Sequence, residues 1–212
     1  PCMAFHAKES HRFSIVKNIS KPTNILIFTD SIFFSGMAIV DVVFGVFIVQ
    51  QVPNATVASL GTGAALYTLG ILITEPIFAS LYNKDTKGNK AFYGYITGNF
   101  IKTLLRLAFI MINSVTAFYI IYFLHGIAHS IAFPSFSKVF TQSISKGNES
   151  LAWGYKDFML SLGKIITLFT SGYIVLAFGY QLLFLISASI LFLSGVIYPL
   201  LKRKYFLNHS SS

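Results

Sequence analysis

Eight ionisable side chains stand inside long apolar runs of this 212-residue chain: Asp30, Asp41, Glu75, Lys102, Arg106, His125, His129 and Lys164. In hydrocarbon each charge costs on the order of 3 kcal/mol even on insertion scales, so such groups face a partner, a protein interior or water, and they mark solute, ion and proton pathways. A carboxylate at that depth can take up and release a proton or a cation, and a lysine beside it can serve as its counter-ion. Asp30 and Asp41 are eleven residues apart, which at about 100° per residue puts them within roughly 20° of each other and predicts an acidic stripe on one helix. His125 with His129, and Lys102 with Arg106, are i,i+4 pairs that each share a face. At about 1.5 Å of rise per residue, Asp41 falls just past the middle of its run, and Lys102, His125 and Lys164 fall near the middle of theirs. One layer of these four is expected, with Asp30 and Glu75 nearer one end and Asp30→Asn milder than Asp41→Asn. Plainer roles stay open. Asp41 with Lys102 or Lys164 could be an ion pair that only fixes packing, Arg106 and Lys164 can snorkel, and the histidines can serve in buried hydrogen bonds. Paired histidines can share a metal, but two of them with no cysteine nearby do not complete a site, and no metal or other cofactor is expected.

The elements that carry these groups follow from composition. Hydrophobic residues make up 54% of the chain and charged residues 11%, less than half the charged share of a soluble domain, so the natural solvent is lipid. Crossing the hydrocarbon core takes about 20 mainly apolar residues per helix. Six segments qualify, at roughly 24–50, 57–82, 91–112, 115–137, 156–178 and 181–201. A β-barrel would need alternating strands, and runs such as Leu182-Leu183-Phe184-Leu185-Ile186 do not alternate. The reading is an all-α membrane protein of six transmembrane helices: a segment 1–23, a helical domain 24–204 and a tail 205–212.

The connections divide by charge. Lys8, Arg12, Lys17 and Lys21 precede the first run; Lys84, Lys87 and Lys90 follow the second; Lys138, Lys146 and Lys156 follow the fourth; Lys202, Arg203 and Lys204 follow the last. The intervening connections at 50–54, 113–114 and 179–181 hold no charge. Short Lys- and Arg-rich loops stay in the cytoplasm, so both termini are expected there, in the plasma membrane, without a cleavable signal peptide. The net charge of +9 is thereby read as membrane orientation and not as nucleic-acid binding. The longest polar stretch, 141–150, reads as an interfacial loop between two groups of three helices. One cysteine, Cys2, allows no intrachain disulfide. Phosphate-binding, dinucleotide, nucleophile-elbow and zinc motifs are absent, and no enzyme activity is expected. Gly61-Thr62-Gly63 reads as close helix packing.

At the second basic loop the sequence resembles the major facilitator superfamily. In Leu81-Tyr82-Asn83-Lys84-Asp85-Thr86-Lys87-Gly88-Asn89-Lys90, the residues Asp85, Gly88 and Lys90 match that family's G-x-x-x-D-R-x-G-R-R pattern, with Gly88 suited to a tight turn and the acid and cations to capping helix ends. Helix four, Tyr122-Phe123-Leu124-His125-Gly126, is similar to R-x-x-Q-G in its glycine and in the downstream Pro134, with Tyr122 and His125 at the Arg and Gln positions. Helix five keeps Gly163 and Gly172 of the antiporter pattern without its Gly-Pro pair. The resemblance spans about 24–204 and implies one facilitator-type (3+3) repeat, in a half-size form of a family that usually carries two. It implies a secondary transporter of a small solute, for which the depth of Asp41 makes it the expected proton- or cation-coupled carboxylate, with Lys102 or Lys164 as candidate counter-ion. Helices one and four would line the cavity, and two copies would form a parallel homodimer. A non-transporting scaffold or partner subunit, a membrane-embedded enzyme using His125 and His129, and a fragment of a double-length transporter are the alternatives.

Overall fold

The computed structural model describes residues 19–207, and every described element is helical. Cys2, Lys8, Arg12 and Lys17 of the N-terminal segment and residues 208–212 of the tail lie outside the described residues. Helix α1, Lys21–Gln51, starts where the Ser20 side chain accepts from the Thr23 amide at 3.3 Å, with proline in the first turn. Helix α2, Val57–Asn83, starts at a Thr56/Ser59 capping box. Helix α3, Asn89–Ala108, runs into a 3₁₀ turn, Phe109–Met111. Helix α4, Val115–Ser143, is capped by Ser114. These side-chain oxygens satisfy amides that a helix start leaves without intrahelical partners.

The next stretch, Glu149–Phe192, breaks at Gly179, whose φ of 81° and ψ of 173° suit glycine alone. It therefore comprises α5 (149–178) and α6 (180–192), and α6 continues through a π turn, Leu193–Ile197, into the short helices Tyr198–Leu201 and Arg203–Leu207. Among the described residues four helical stretches are long and apolar enough to cross a membrane: α1, α2, α4 and Glu149–Leu201. At 53 residues the last spans about 80 Å at 1.5 Å per residue, more than twice the hydrocarbon thickness. Helix α3 is 20 residues long but carries Lys90, Lys102 and Arg106, which lower its hydropathy.

Three boundaries differ from expectation. Helix α4 runs on to Ser143 and α5 begins at Glu149, so the loop expected at 141–150 shrinks to 144–148. Lys138 and Lys156 therefore belong to helices and not to a solvated loop. The extra turns are held by packing: Val139, Phe140 and Ala152 are buried, and the Phe140 and Trp153 rings meet edge-on at 4.8 Å. Hydropathy locates only the part of a helix that sits in lipid; beyond it, an amphipathic face on the core decides where the helix ends. In the third segment the α-helix stops at Ala108, short of the expected 112.

Helix α1 lies along the Glu149–Phe192 stretch, α2 lies along α4, and α3 packs against α4 and that same stretch, while α1 and α4 barely touch. Helices α2 and α4 cross backbone to backbone. A Cβ on Gly70 would come within 2.7 Å of the Phe123 carbonyl oxygen, and one on Gly126 would strike that of Tyr67. Of the glycines near the start of α2, Gly63 packs on the Phe118 ring, while Gly61 meets nothing within 4 Å. Two apolar clusters form the core. One, with Leu26, Phe92, Tyr95, Phe136 and Phe140, lies toward the basic loops. The other, with Val40, Phe44, Phe109, Phe118 and Phe184, lies toward the uncharged loops. Along α3 the polar Asn99, Lys102 and Arg106 fall between the residues of the two clusters. On the outside, Leu72, Ile77, Phe169, Tyr173 and Leu176 are exposed, as a lipid-facing surface requires.

Candidate functional site

The gap between α1 and α4 is where side chains with opposite charges and an open volume coincide. Asp41 of α1 has 62% of its side chain exposed, and its Oδ1 stands 4.0 Å from Arg106 Nη2 on α3. That is an ion pair too long to be a hydrogen bond. Arg106 is itself buried; its Nη2 donates to the Met37 sulfur at 3.1 Å, and its Nε has no partner among the described residues. Together with Phe44, Ala64, Tyr67, Phe109, Tyr122 and His125, these residues line a cavity of about 230 Å³. Its wall is aromatic. Phe44 stacks on Tyr122 at 5.5 Å and meets Phe109 edge-on at 4.9 Å, and Tyr67 lies 5.6 Å from His125 and 6.0 Å from His129. An acid, a guanidinium and ring faces around one volume can hold a small polar solute and exchange its charges with theirs.

The counter-ion differs from expectation. Neither Lys102 nor Lys164 comes within 4.0 Å of Asp41, and Arg106 holds that place. Lys102 is buried beside the Phe33 ring, 5.4 Å from its centroid, and Lys164 forms no ion pair among the described residues. Lys102 and Arg106 share a face, but one turn of helix, about 5.4 Å, separates their surroundings.

Asp30 differs more. It is 2% exposed, and its Oδ2 lies 3.0 Å from the Lys156 ammonium on α5. The contact is an ion pair without hydrogen-bond alignment. Lys156 sits within 5.4–5.9 Å of the ring centres of Phe34, Phe136 and Trp153. The expected acidic stripe is thus divided: one end is sealed in the core by α5 and the other is open to the cavity. Nothing in local spacing marked Lys156, because its partner lies 126 positions earlier in the chain.

Glu75 does not join the Asp41 cavity either. It lines a separate groove of about 780 Å³ between the basic ends of α2 and α4, with Asp85, Phe133, Pro134 and Lys138. His125 does line the Asp41 cavity, while His129 packs between Tyr67 and Phe133. The residues that sequence reasoning missed are Met37, Phe44, Tyr67, Phe109 and Tyr122. Tyr122 carried a signal, since it occupies the Arg position of the helix-four pattern; the others look like any apolar or aromatic residue of a buried helix.

The loop motif takes the geometry its residue types suggest. Gly88 has φ 70° and ψ 0° at the start of α3, and the Asp85 carboxylate accepts from the Ala91 amide at 3.0 Å, capping that helix. The cation that caps the end of α2 comes from elsewhere: Lys138 Nζ donates to the carbonyls of Tyr82 and Asp85. Lys90 is exposed.

Residues 26–210 match the family described as Major Facilitator Superfamily. No match was found among curated proteins.

Proposed function

The chain belongs to the major facilitator superfamily, and on that premise we propose that it carries a small solute across the membrane through the Asp41–Arg106 cavity, coupled to a proton on Asp41. It is a multi-pass membrane protein of facilitator type. The observation that carries the finer reading is the half-open carboxylate. Asp41 sits mid-way along an apolar helix, exposed, beside an aromatic cavity where α1 and α4 barely touch. Against lipid that placement would cost roughly 3 kcal/mol; against water or solute it is functional. Reconstitution in liposomes tests it. Under an imposed pH gradient, uptake of the solute should exceed that of protein-free vesicles. Purified, folded protein that moves none of a panel of sugars, amino acids, peptides and cations would favour a scaffold role.

The reading uses six spans: α1 to α4, then α5 and α6 on either side of Gly179. The pairing of α1 with the α5–α6 stretch and of α2 with α4 supports a 3+3 repeat, because exchanging the two groups of three helices maps α1–α5 onto α4–α2. In this reading the basic loops, both termini and Glu75 are on the cytoplasmic side of the plasma membrane, as the charge of the loops supports. With cysteines introduced singly in a Cys2→Ser background, an impermeant reagent applied to intact cells is expected to label positions 54 and 180 and to spare 87 and 146. Labelling of position 87 from outside would reverse the orientation.

The exposed face of Asp41 further supports a parallel homodimer in which a second copy covers the cavity, as the two halves of double-length family members cover each other. Ala38 lies one turn from Asp41 but is buried, whereas Val42 is 55% exposed. A Val42→Cys protein is therefore expected to crosslink to its own counterpart, and native mass spectrometry in nanodiscs is expected to give twice 23.5 kDa. An active monomer in nanodiscs would exclude the two-copy mechanism.

A further inference from the structure

Arg106 is a buried guanidinium with too few partners. Its five N–H groups meet one sulfur, a weak acceptor, and a carboxylate at 4.0 Å, and Nε meets nothing among the described residues. A buried donor left unsatisfied keeps its full desolvation penalty, the more so when charged, so the site is built to receive an acceptor. Asp41, across the same cavity, is an acceptor-only group with most of its side chain exposed. Resting on the transporter reading above, we propose that this cavity binds a small zwitterion whose two charges lie close together, an α-amino acid with an apolar side chain.

The charge pattern excludes the simpler classes one by one. A plain anion reaching Arg106 would meet the Asp41 carboxylate a few ångströms away, and a plain cation at Asp41 would meet the guanidinium. A zwitterion laid antiparallel to the pair satisfies both, its carboxylate on Arg106 and its ammonium on Asp41. Because Asp41 and Arg106 are not hydrogen-bonded to each other, little is lost when the ligand enters. Their 4.0 Å separation suits charges carried on one carbon and its neighbour; the ends of a peptide stand too far apart to meet both groups. The stacked Phe44 and Tyr122 rings offer an apolar wall, and ring faces also attract an ammonium. A volume of about 230 Å³, room for roughly eight waters at about 30 Å³ each, admits a leucine-sized solute. It lies below the range of pockets that take drug-sized ligands.

Thermal shift on the purified full chain tests this with four probes: L-leucine, L-leucinamide without the carboxylate, N-acetyl-L-leucine without the ammonium, and leucyl-leucine. L-leucine is expected to raise the melting temperature in a concentration-dependent way, and each of the other three to bind at least about tenfold more weakly, as expected when one charged partner goes unmet. Asp41→Asn is expected to erase the preference for L-leucine over N-acetyl-L-leucine; should that variant not fold, the comparison on the native sequence decides alone. No response to L-leucine at millimolar concentration, or equal responses to all four probes, overturns the zwitterion. Uptake of a sugar or a plain cation without any response to L-leucine also overturns it and leaves the transporter reading standing. L-leucine binding by liposomes that move no solute upholds the site and overturns transport.

Discussion

Asp41→Asn protein is expected to fold and to carry its solute no faster than protein-free liposomes do. The substitution keeps the shape of the side chain and removes its charge and its capacity to exchange a proton. The loss of stability should be modest, because Asp41 is largely exposed and already 4.0 Å from Arg106, so the buried guanidinium loses a distant partner and no hydrogen bond. Function should go almost entirely, because among the described residues Asp41 is the only carboxylate lining the cavity. Without it the Arg106 charge is unopposed there. The measurement pairs solute uptake in liposomes with the melting temperature of the same preparation. Uptake at the native rate would remove Asp41 from the coupling step. A large loss of melting temperature with the loss of uptake would make it a packing residue, as in the plainer reading of the sequence.

The opposite pattern is expected eleven residues earlier. Asp30→Asn and Lys156→Met should each destabilise the fold strongly, by about 3–5 kcal/mol, because removing one member of a buried ion pair strands the other charge. For a chain of this size that corresponds to roughly 10 °C in melting temperature. The surroundings leave the survivor no escape. Asp30 is 2% exposed, and the Lys156 ammonium is enclosed by Phe34, Phe136 and Trp153. The Asp30→Asn/Lys156→Met double variant should recover a good part of the loss, since neither charge is then left alone, and that non-additivity is the signature of direct coupling. Melting temperatures of the four proteins in one detergent provide the check. Additive losses in the double variant, or an Asp30→Asn protein melting within about 2 °C of the native one, would show that the pair does not hold α1 to α5.

These two aspartates show how far the sequence could be read. Their presence in an apolar run was legible, and so was the conclusion that each must have a partner. Ranking them by distance from cytoplasmic water made Asp30 the milder site, whereas in the fold Asp30 is sealed and Asp41 is open. The ranking used depth along the membrane normal alone. Exposure also depends on what lies beside a given face: Asp30 meets Lys156 of α5, whereas Asp41 opens on the cavity it shares with residues of α2, α3 and α4. Lys156 was misread for a related reason. Counted as a loop cation from its distance to the apolar run, it belongs to a helix that begins seven residues earlier, at Glu149.

What the sequence determined by itself was the material of the fold. Backbone amides and carbonyls in lipid must pair within their own segment, so apolar runs of this length can only be helices, and their caps and breaks at Ser20, Thr56, Gly88 and Ser114 are written in local residue types. The loop carboxylate Asp85 and the turn at Gly88 were legible in the same way, because a helix start and the residues that cap it are neighbours in the chain. What only the tertiary structure decided was the choice among partners: Arg106 and not Lys102 for Asp41, Lys156 for Asp30, Lys138 for the end of α2, and Phe44, Tyr67 and Tyr122 for the cavity wall. Ion pairs and ring contacts form across helices, where half a turn of rotation or one turn of axial offset, about 5.4 Å, exchanges one partner for another. That rotation and offset are set by packing, such as the Gly70–Gly126 crossing that brings α2 and α4 into backbone contact. No single helix carries that information.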